Sequence, residues 1–205
     1  MVDRRQHWEN VYRNKATDEV SWFQTHAAFS LRLIRDSGVG LDAHIIDVGG
    51  GASVLVDNLL DAGYRNLTVL DLSESALAES RKRLGERAGP VTWLADDITR
   101  AVLPAGAYDV WHDRAVFHFL TDPADRAHYV EQVVKSVKPG GHVIVAAFGP
   151  GGPLQCSGLD VVRYSPDALH AEFGMPFRLL GHETEIHPTP AGKEQEFVYC
   201  YCRRL

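Results

Sequence analysis

Cysteine is scarce in this sequence: Cys156, Cys200 and Cys202 are the only three among 205 residues, and none forms a Cys-x-x-Cys pair. An odd number without that spacing excludes a disulfide framework and suits a reducing compartment. Long apolar runs are missing too. Nothing approaches the about 20 consecutive apolar residues of a membrane-spanning helix, and Met1-Val2-Asp3-Arg4-Arg5-Gln6-His7 runs into polar, aromatic sequence instead of an apolar signal core. The expectation is a cytoplasmic protein with no membrane partner. A basic face is also absent. The formal net charge is -6, and Lys and Arg are scattered apart from Arg81-Lys82-Arg83 and Arg203-Arg204, so nucleic acid is not the expected partner.

With 45% hydrophobic and 23% charged residues, the chain reads as one globular domain, 1–205. Residues 1–40 form a helical lead-in and 41–205 a core of alternating strands and helices. Trp8, Val11 and Tyr12 fall at helical spacing, and a second helix is predicted over 27–37. Strands follow at 44–48, 67–71, 91–95, 108–112 and 142–148. Between them lie apolar-faced helices that start at caps such as Ser73 and Asp122-Pro123 and end at Gly63 or before Pro139-Gly140-Gly141. Two last strands, 177–186 and 195–203, should form an antiparallel hairpin. Parallel neighbours need long crossovers, so the prediction is an α/β fold: a Rossmann-like, doubly wound, seven-stranded sheet, mostly parallel with a C-terminal antiparallel hairpin.

Ligands of such sheets bind at the C-terminal strand ends where the strand order reverses, and the polar residues of this chain collect there. Gly49-Gly50-Gly51 follows the first strand and lets backbone approach a ligand; Asp47 precedes it, and Asp71 ends the second strand, where a carboxylate accepts from ribose hydroxyls. Asp97 and Asp113 are placed just after strands three and four. Together these point to a nucleoside ligand. A dinucleotide turn would want a third glycine where Val54 stands, and a Tyr-x-x-x-Lys pair is absent, which counts against a nicotinamide-dependent oxidoreductase.

Several segments resemble one family, the class I S-adenosylmethionine-dependent methyltransferases, in order and over nearly the whole chain. Ile45-Ile46-Asp47-Val48-Gly49-Gly50-Gly51 resembles the turn beside the methionine portion, Asp71-Leu72-Ser73 the ribose-binding acid and its neighbours, and Ala95-Asp96-Asp97-Ile98 the adenine-side motif, with Asp97 favoured. Tyr108 through Leu120 and Val137-Lys138-Pro139-Gly140-Gly141-His142 resemble the family's fourth motif and the turn before its fifth strand. The lead-in, His7-Trp8-Glu9-Asn10-Val11-Tyr12 and Val20-Ser21-Trp22-Phe23, is similar to a branch that includes bacterial enzymes and eukaryotic protein-lysine methyltransferases. The resemblance implies S-adenosyl-L-methionine as cofactor and S-adenosyl-L-homocysteine as product. It also implies that Trp8, Tyr12 and Trp22 lie near the methionine end.

Methyl transfer is an in-line displacement that needs a held acceptor and excluded water, and a base only when the acceptor carries a proton to lose. His118 and Asp113 are the candidate catalytic residues. Asp113 reads equally as a cofactor contact, and His118 as a helix cap or polar gap-filler. The Asp/Asn-Pro-Pro-aromatic signature of base-amine methylation is missing after strand four, so a small-molecule acceptor leads, with a protein lysine second and a cofactor-binding, non-catalytic sensor or partner third. The Gly/Pro-rich stretch Gly149 to Gly158 is the expected acceptor loop. No metal is expected: Cys200 and Cys202 share one strand face as core residues, and His182, His187 and Cys200 lack the spacing of a zinc site.

Overall fold

A computed structural model describes residues 3–205; Met1 and Val2 of the polar N-terminal stretch lie outside the described residues. In chain order the main elements are α1 (Arg4–Asn14), α2 (Ala28–Asp36), β1 (His44–Val48), α3 (Leu55–Asp61), β2 (Asn66–Asp71), α4 (Glu74–Leu84), β3 (Thr92–Ala95), β4 (Tyr108–Arg114), α5 (Pro123–Ser136) and β5 (Val137–Phe148). They continue with a two-residue pair β6 (Gln155–Cys156) and β7 (Leu159–Asp160), then α6 (Pro166–Phe173), β8 (Phe177–Pro188) and β9 (Glu194–Arg204).

Local signals explain where the helices begin. The side chains of Asp3, Ser73, Asp122 and Ser165 accept from amides in the first turns of α1, α4, α5 and α6, which helix geometry leaves without carbonyl partners. Pro123 and Pro166 occupy first-turn positions where no amide is needed. Neither α2 nor α3 has a side-chain cap; each is held by the face it buries, Leu31, Leu33 and Ile34 on one and Leu55, Val56 and Leu59 on the other.

The seven-stranded sheet runs β3-β2-β1-β4-β5-β9-β8. The first five strands are parallel, and β9 pairs antiparallel with both β5 and β8, as the strand and helix alternation predicts. One apolar cluster joins the sheet to α5 and α6, a second joins it to α2, α3 and α4, so helices cover both faces. The order reverses between β1 and β4, which opens a crevice at their C-terminal ends.

Three differences from expectation bear on the site. β4 does not stop at His112, because Asp113 and Arg114 go on pairing with Val145 and Ala146 of β5. β5 begins at Val137, five residues before His142, since Tyr108 pairs with Val137 across a register shift. The stretch after β5 is not a plain loop: β6 and β7 pair around Ser157 and Gly158, both at positive φ. None of the described helices is long and apolar enough to cross a membrane.

Candidate cofactor and acceptor site

At the switch point the backbone is shaped to leave room. Gly49 has φ +70, and a Cβ there would collide with Val116 Cγ2. A Cβ on Gly50 would stand 2.5 Å from an Asp47 carboxylate oxygen, and one on Gly51 2.5 Å from an Asp71 oxygen. Side chains at these positions would displace the two acids. The glycines therefore keep the carboxylates against the turn, a cradle suited to a polar nucleoside. Asp71 is held by the Ser73 amide, which donates to Oδ1 at 2.8 Å. Burial, with Asp47 and Glu9 nearby, lifts its carboxyl to about 7.

The cleft at these strand ends has two lobes. The larger encloses about 840 Å³, part of it open to solvent. Trp8, Tyr12 and Trp22 cover it from the lead-in; Gly49, Asp71, Leu72, Asp97 and Ile98 line it from the strand ends. The smaller lobe, about 570 Å³, is bounded by Asp47, Gly49, Gly50, Ser53 and His112 beneath Tyr12 and Trp22. Of the residues expected at the cofactor, Gly51, Ser73 and Asp113 line neither lobe. The first two act from behind by placing Asp71.

Two latches hold α1 over the cleft. Arg4 pairs with Asp125 at 2.8 Å, and the Glu9 carboxylate accepts from the amides of Glu74 and Ser75 at 2.6 and 3.4 Å, at the start of α4. Trp8 meets Trp22 edge-on at 5.6 Å and Phe119 at 5.1 Å. This aromatic roof removes water from the space below it.

The rest of the cleft wall is assembled from distant segments. Arg114, Ala115, Val116 and Phe119 enter from the end of β4, Phe148 from β5 and Cys156 from β6. Ala115 sits at φ 78, a left-handed conformation that costs about 1–3 kcal/mol and collects at functional sites. The Arg114 guanidinium donates to Glu185 at 3.2 Å, to Tyr199 at 2.9 Å and to the Trp22 carbonyl at 3.3 Å. His187 contacts the Ser21 carbonyl at 2.8 Å and Gln24 donates to Glu185 at 2.9 Å, so the lead-in is tied to the β8–β9 hairpin. Beneath the smaller lobe, Asp47, His112 and Ser30 form a buried chain with contacts of 2.7 and 2.8 Å. In the parallel register Asp47 and His112 are direct partners, which turns both to one face.

Neither candidate catalytic residue faces the cleft. Asp113 is fully buried and accepts from Tyr129 Oη at 2.6 Å and from the Val116 and Phe117 amides at 2.9 and 3.1 Å. It pins the turn after β4 to α5, with its carboxyl pushed by burial to about 7. His118 is fully buried; its Nδ1 accepts the Phe148 amide at 3.2 Å and its ring stacks on Phe148 at 4.4 Å. Burial, with Arg114 nearby, pulls its pKa down to about 3, so it is neutral at pH 7. Of the two roles read for His118, the packing agrees with the gap-filler.

Comparison with known proteins follows the same lines. The profile of the family described as "Methyltransferase domain" matches residues 45–141, the span that carries the glycine turn, Asp71 and Asp97. By that match this span is a methyltransferase domain. It is 30% identical over 158 residues to the ubiquinone/menaquinone biosynthesis C-methyltransferase UbiE of Methylobacterium nodulans, covering 71% of this chain and 60% of that protein. It is 26% identical over 121 residues to the eEF1A lysine and N-terminal methyltransferase of Danio rerio, covering 59% of this chain but only 17% of that much longer protein. Among solved structures, the N-methyltransferase NodS of Bradyrhizobium japonicum, in complex with S-adenosylhomocysteine, shares the fold: TM-score 0.72 at 16% identity over 96% of this chain and 97% of that one.

Sequence reasoning passed over several residues of the cleft. Arg114 and Ala115 were read only as parts of a motif, and Arg4 and Phe148 were not singled out. Arg114 carried a signal, a charged residue at the end of an otherwise apolar strand. Arg4 and Phe148 carried none, since their positions come from helix docking and sheet register.

Proposed function

We propose that the chain is an enzyme that binds S-adenosylmethionine along this cleft and methylates a small-molecule acceptor, releasing S-adenosylhomocysteine. The observation that carries the reading is convergence: Gly49 and Gly50 of a close-packed glycine turn, a buried acid at the end of β2 and a second acid after β3 all border one cleft beneath an aromatic roof. In this reading Asp71 accepts from the ribose hydroxyls and Asp97 from the adenine amine. The turn Gly49–Gly51, with Asp47 behind it, takes the methionine portion, and Trp8, Tyr12 and Trp22 close over it. The bound cofactor supplies an activated methyl group on a sulfonium.

What the chain contributes is placement and a dry space. The acceptor end is walled by Val116, Phe119, Phe148 and Cys156, with Arg114 as the charged group beside them. Burial pushes the Cys156 thiol up to about 11 and the Tyr12 phenol higher still, so neither is a base at neutral pH. The reading therefore favours an acceptor that arrives as its own nucleophile, such as a small unprotonated amine or a thiolate. Apolar walls and a cation suit such a molecule better than a lysine ammonium. The lysine reading keeps one specific support, the similarity to eEF1A lysine methyltransferases.

The test is transfer of labelled methyl from S-adenosylmethionine to a panel of small thiols, amines and acids, with purified eEF1A as a separate arm. Turnover on a panel member and none on eEF1A supports the small-molecule reading. Label on eEF1A alone replaces it with the lysine reading, and no transfer in either arm returns the chain to a binding role.

A further inference from the structure

On the sheet face opposite the α2–α4 layer, β9 presents Cys200 and Cys202 side by side against α6. Their sulfurs lie 3.6 Å apart, and the Cys202 sulfur is 3.4 Å from Nδ1 of His170, in the last turn of α6. The ligand atoms of all three residues fall within 4.8 Å of one another. Both cysteines are 2% exposed and both are free thiols, while His170 is half-buried. The group is separate from the cleft: none of the three borders either lobe.

These contacts are within hydrogen-bonding reach, and they also fit a shared metal ion. A disulfide would need about 2.05 Å between the sulfurs. A tetrahedral zinc ion with Zn–S of about 2.3 Å and Zn–N of about 2.0–2.1 Å sets its ligands about 3.8 Å apart for two sulfurs and about 3.6 Å for sulfur and nitrogen. The Cys200–Cys202 and Cys202–His170 pairs stand within a few tenths of an ångström of these values, and Cys200 and His170, within 4.8 Å, draw together on binding. Two thiolates would neutralise a divalent cation, which removes the penalty of a buried net charge. His170, reaching partly to solvent, provides an entry side and leaves the fourth position to a water molecule.

The geometry points to a zinc-class site in which Cys200, Cys202 and His170 ligate one thiophilic divalent cation and fasten α6 to β9. Binding deprotonates both thiols and releases two protons to solvent, so affinity rises with pH. Because α6 directly follows the segment that contributes Cys156 to the cleft, the ion also anchors the far end of that segment. The proposal departs from the expectation of no metal, which weighed His182, His187 and Cys200 and read Cys200 and Cys202 as core residues, because its third ligand comes from a helix about 30 residues away.

The test uses the full chain, chelator-dialysed and held reduced with a phosphine, titrated with Co(II) and then Zn(II). Expected are one equivalent of Co(II) with thiolate-to-cobalt charge-transfer absorption and tetrahedral d–d bands, both displaced by Zn(II). A rise in Tm of about 5–10 °C is expected when Zn(II) is near a hundred times its Kd. Cys200→Ser and Cys202→Ser abolish the charge-transfer band. His170→Ala, on the half-buried side and least disruptive to folding, weakens binding by about 10–100-fold or more, and Cys156→Ser leaves it unchanged. A folded chain with no band and no Tm shift would overturn the proposal, and so would Co(II) affinity unchanged from wild type in folded Cys202→Ser and His170→Ala.

Discussion

The two ends of the cleft are built differently. The end at Asp47, Gly49–Gly51, Asp71 and Asp97 draws on three short sequence blocks, each at the end of a parallel strand. Its geometry is fixed by backbone: a single added methyl at Gly50 or Gly51 would press on an acid at 2.5 Å. The other end gathers Trp22, Arg114, Phe148 and Cys156 from separate elements and is tied together by side chains, Arg114 reaching Glu185, Tyr199 and the Trp22 carbonyl and His187 reaching the Ser21 carbonyl. A site fixed by backbone admits one ligand shape, whereas a site fixed by exchangeable side chains can be respecified without disturbing the fold. The same sheet can thus keep one cofactor and change acceptors.

The largest expected effect lies at the backbone-fixed end. Asp71→Asn keeps the shape but removes the charge from the two ribose hydrogen bonds proposed for it, and the affinity for S-adenosylhomocysteine should fall by about 100-fold, as hydrogen bonds to charged groups contribute about 1.5–3 kcal/mol each. A change under about threefold by calorimetry would break the contrast between the two ends. Next comes pH. Asp71 has its carboxyl raised to about 7, and the ionised form is the better acceptor. Affinity should therefore be full above that value and fall by about tenfold per unit below it, and Asp71→Asn should flatten the dependence. A wild-type profile flat from pH 5.5 to 8 would contradict the assignment.

At the side-chain-fixed end the effects should separate. Cys156→Met fills the acceptor end, so acceptor KM should rise by about tenfold, within the about 1–3 kcal/mol that a misfitted methylene-sized group costs. S-adenosylhomocysteine affinity should stay within about threefold, and an equal loss of both would merge the two ends into one. The smallest effect belongs to His118. Replacing it with Asn preserves an acceptor for the Phe148 amide and should change kcat by less than about threefold, against the about 100- to 10,000-fold contributed by a general base. A loss in that upper range would restore His118 to the chemistry.

Legibility in the sequence follows the same division. Asp71 and the glycines were readable because strand, turn and helix start are contiguous, and the doubly wound sheet followed from alternation of short apolar strands with capped helices. Asp113 was misplaced into a loop because the last two residues of β4 are strand only through pairing with β5, a non-local cause. His118 looked like a polar residue near the methyl site. The turn Phe117–Phe119 instead carries it inward against Phe148, and no local pattern announces that. Cys200 and Cys202 were correctly put on one face, while His170 joins them only once α6 docks on the sheet.

The most direct test of the central claim is calorimetric titration of the purified chain with S-adenosylhomocysteine, with NADH as the competing nucleoside. One site of micromolar affinity for the sulfur nucleoside and no heat with NADH is the predicted result. A folded chain that binds neither, or binds only NADH, would contradict it.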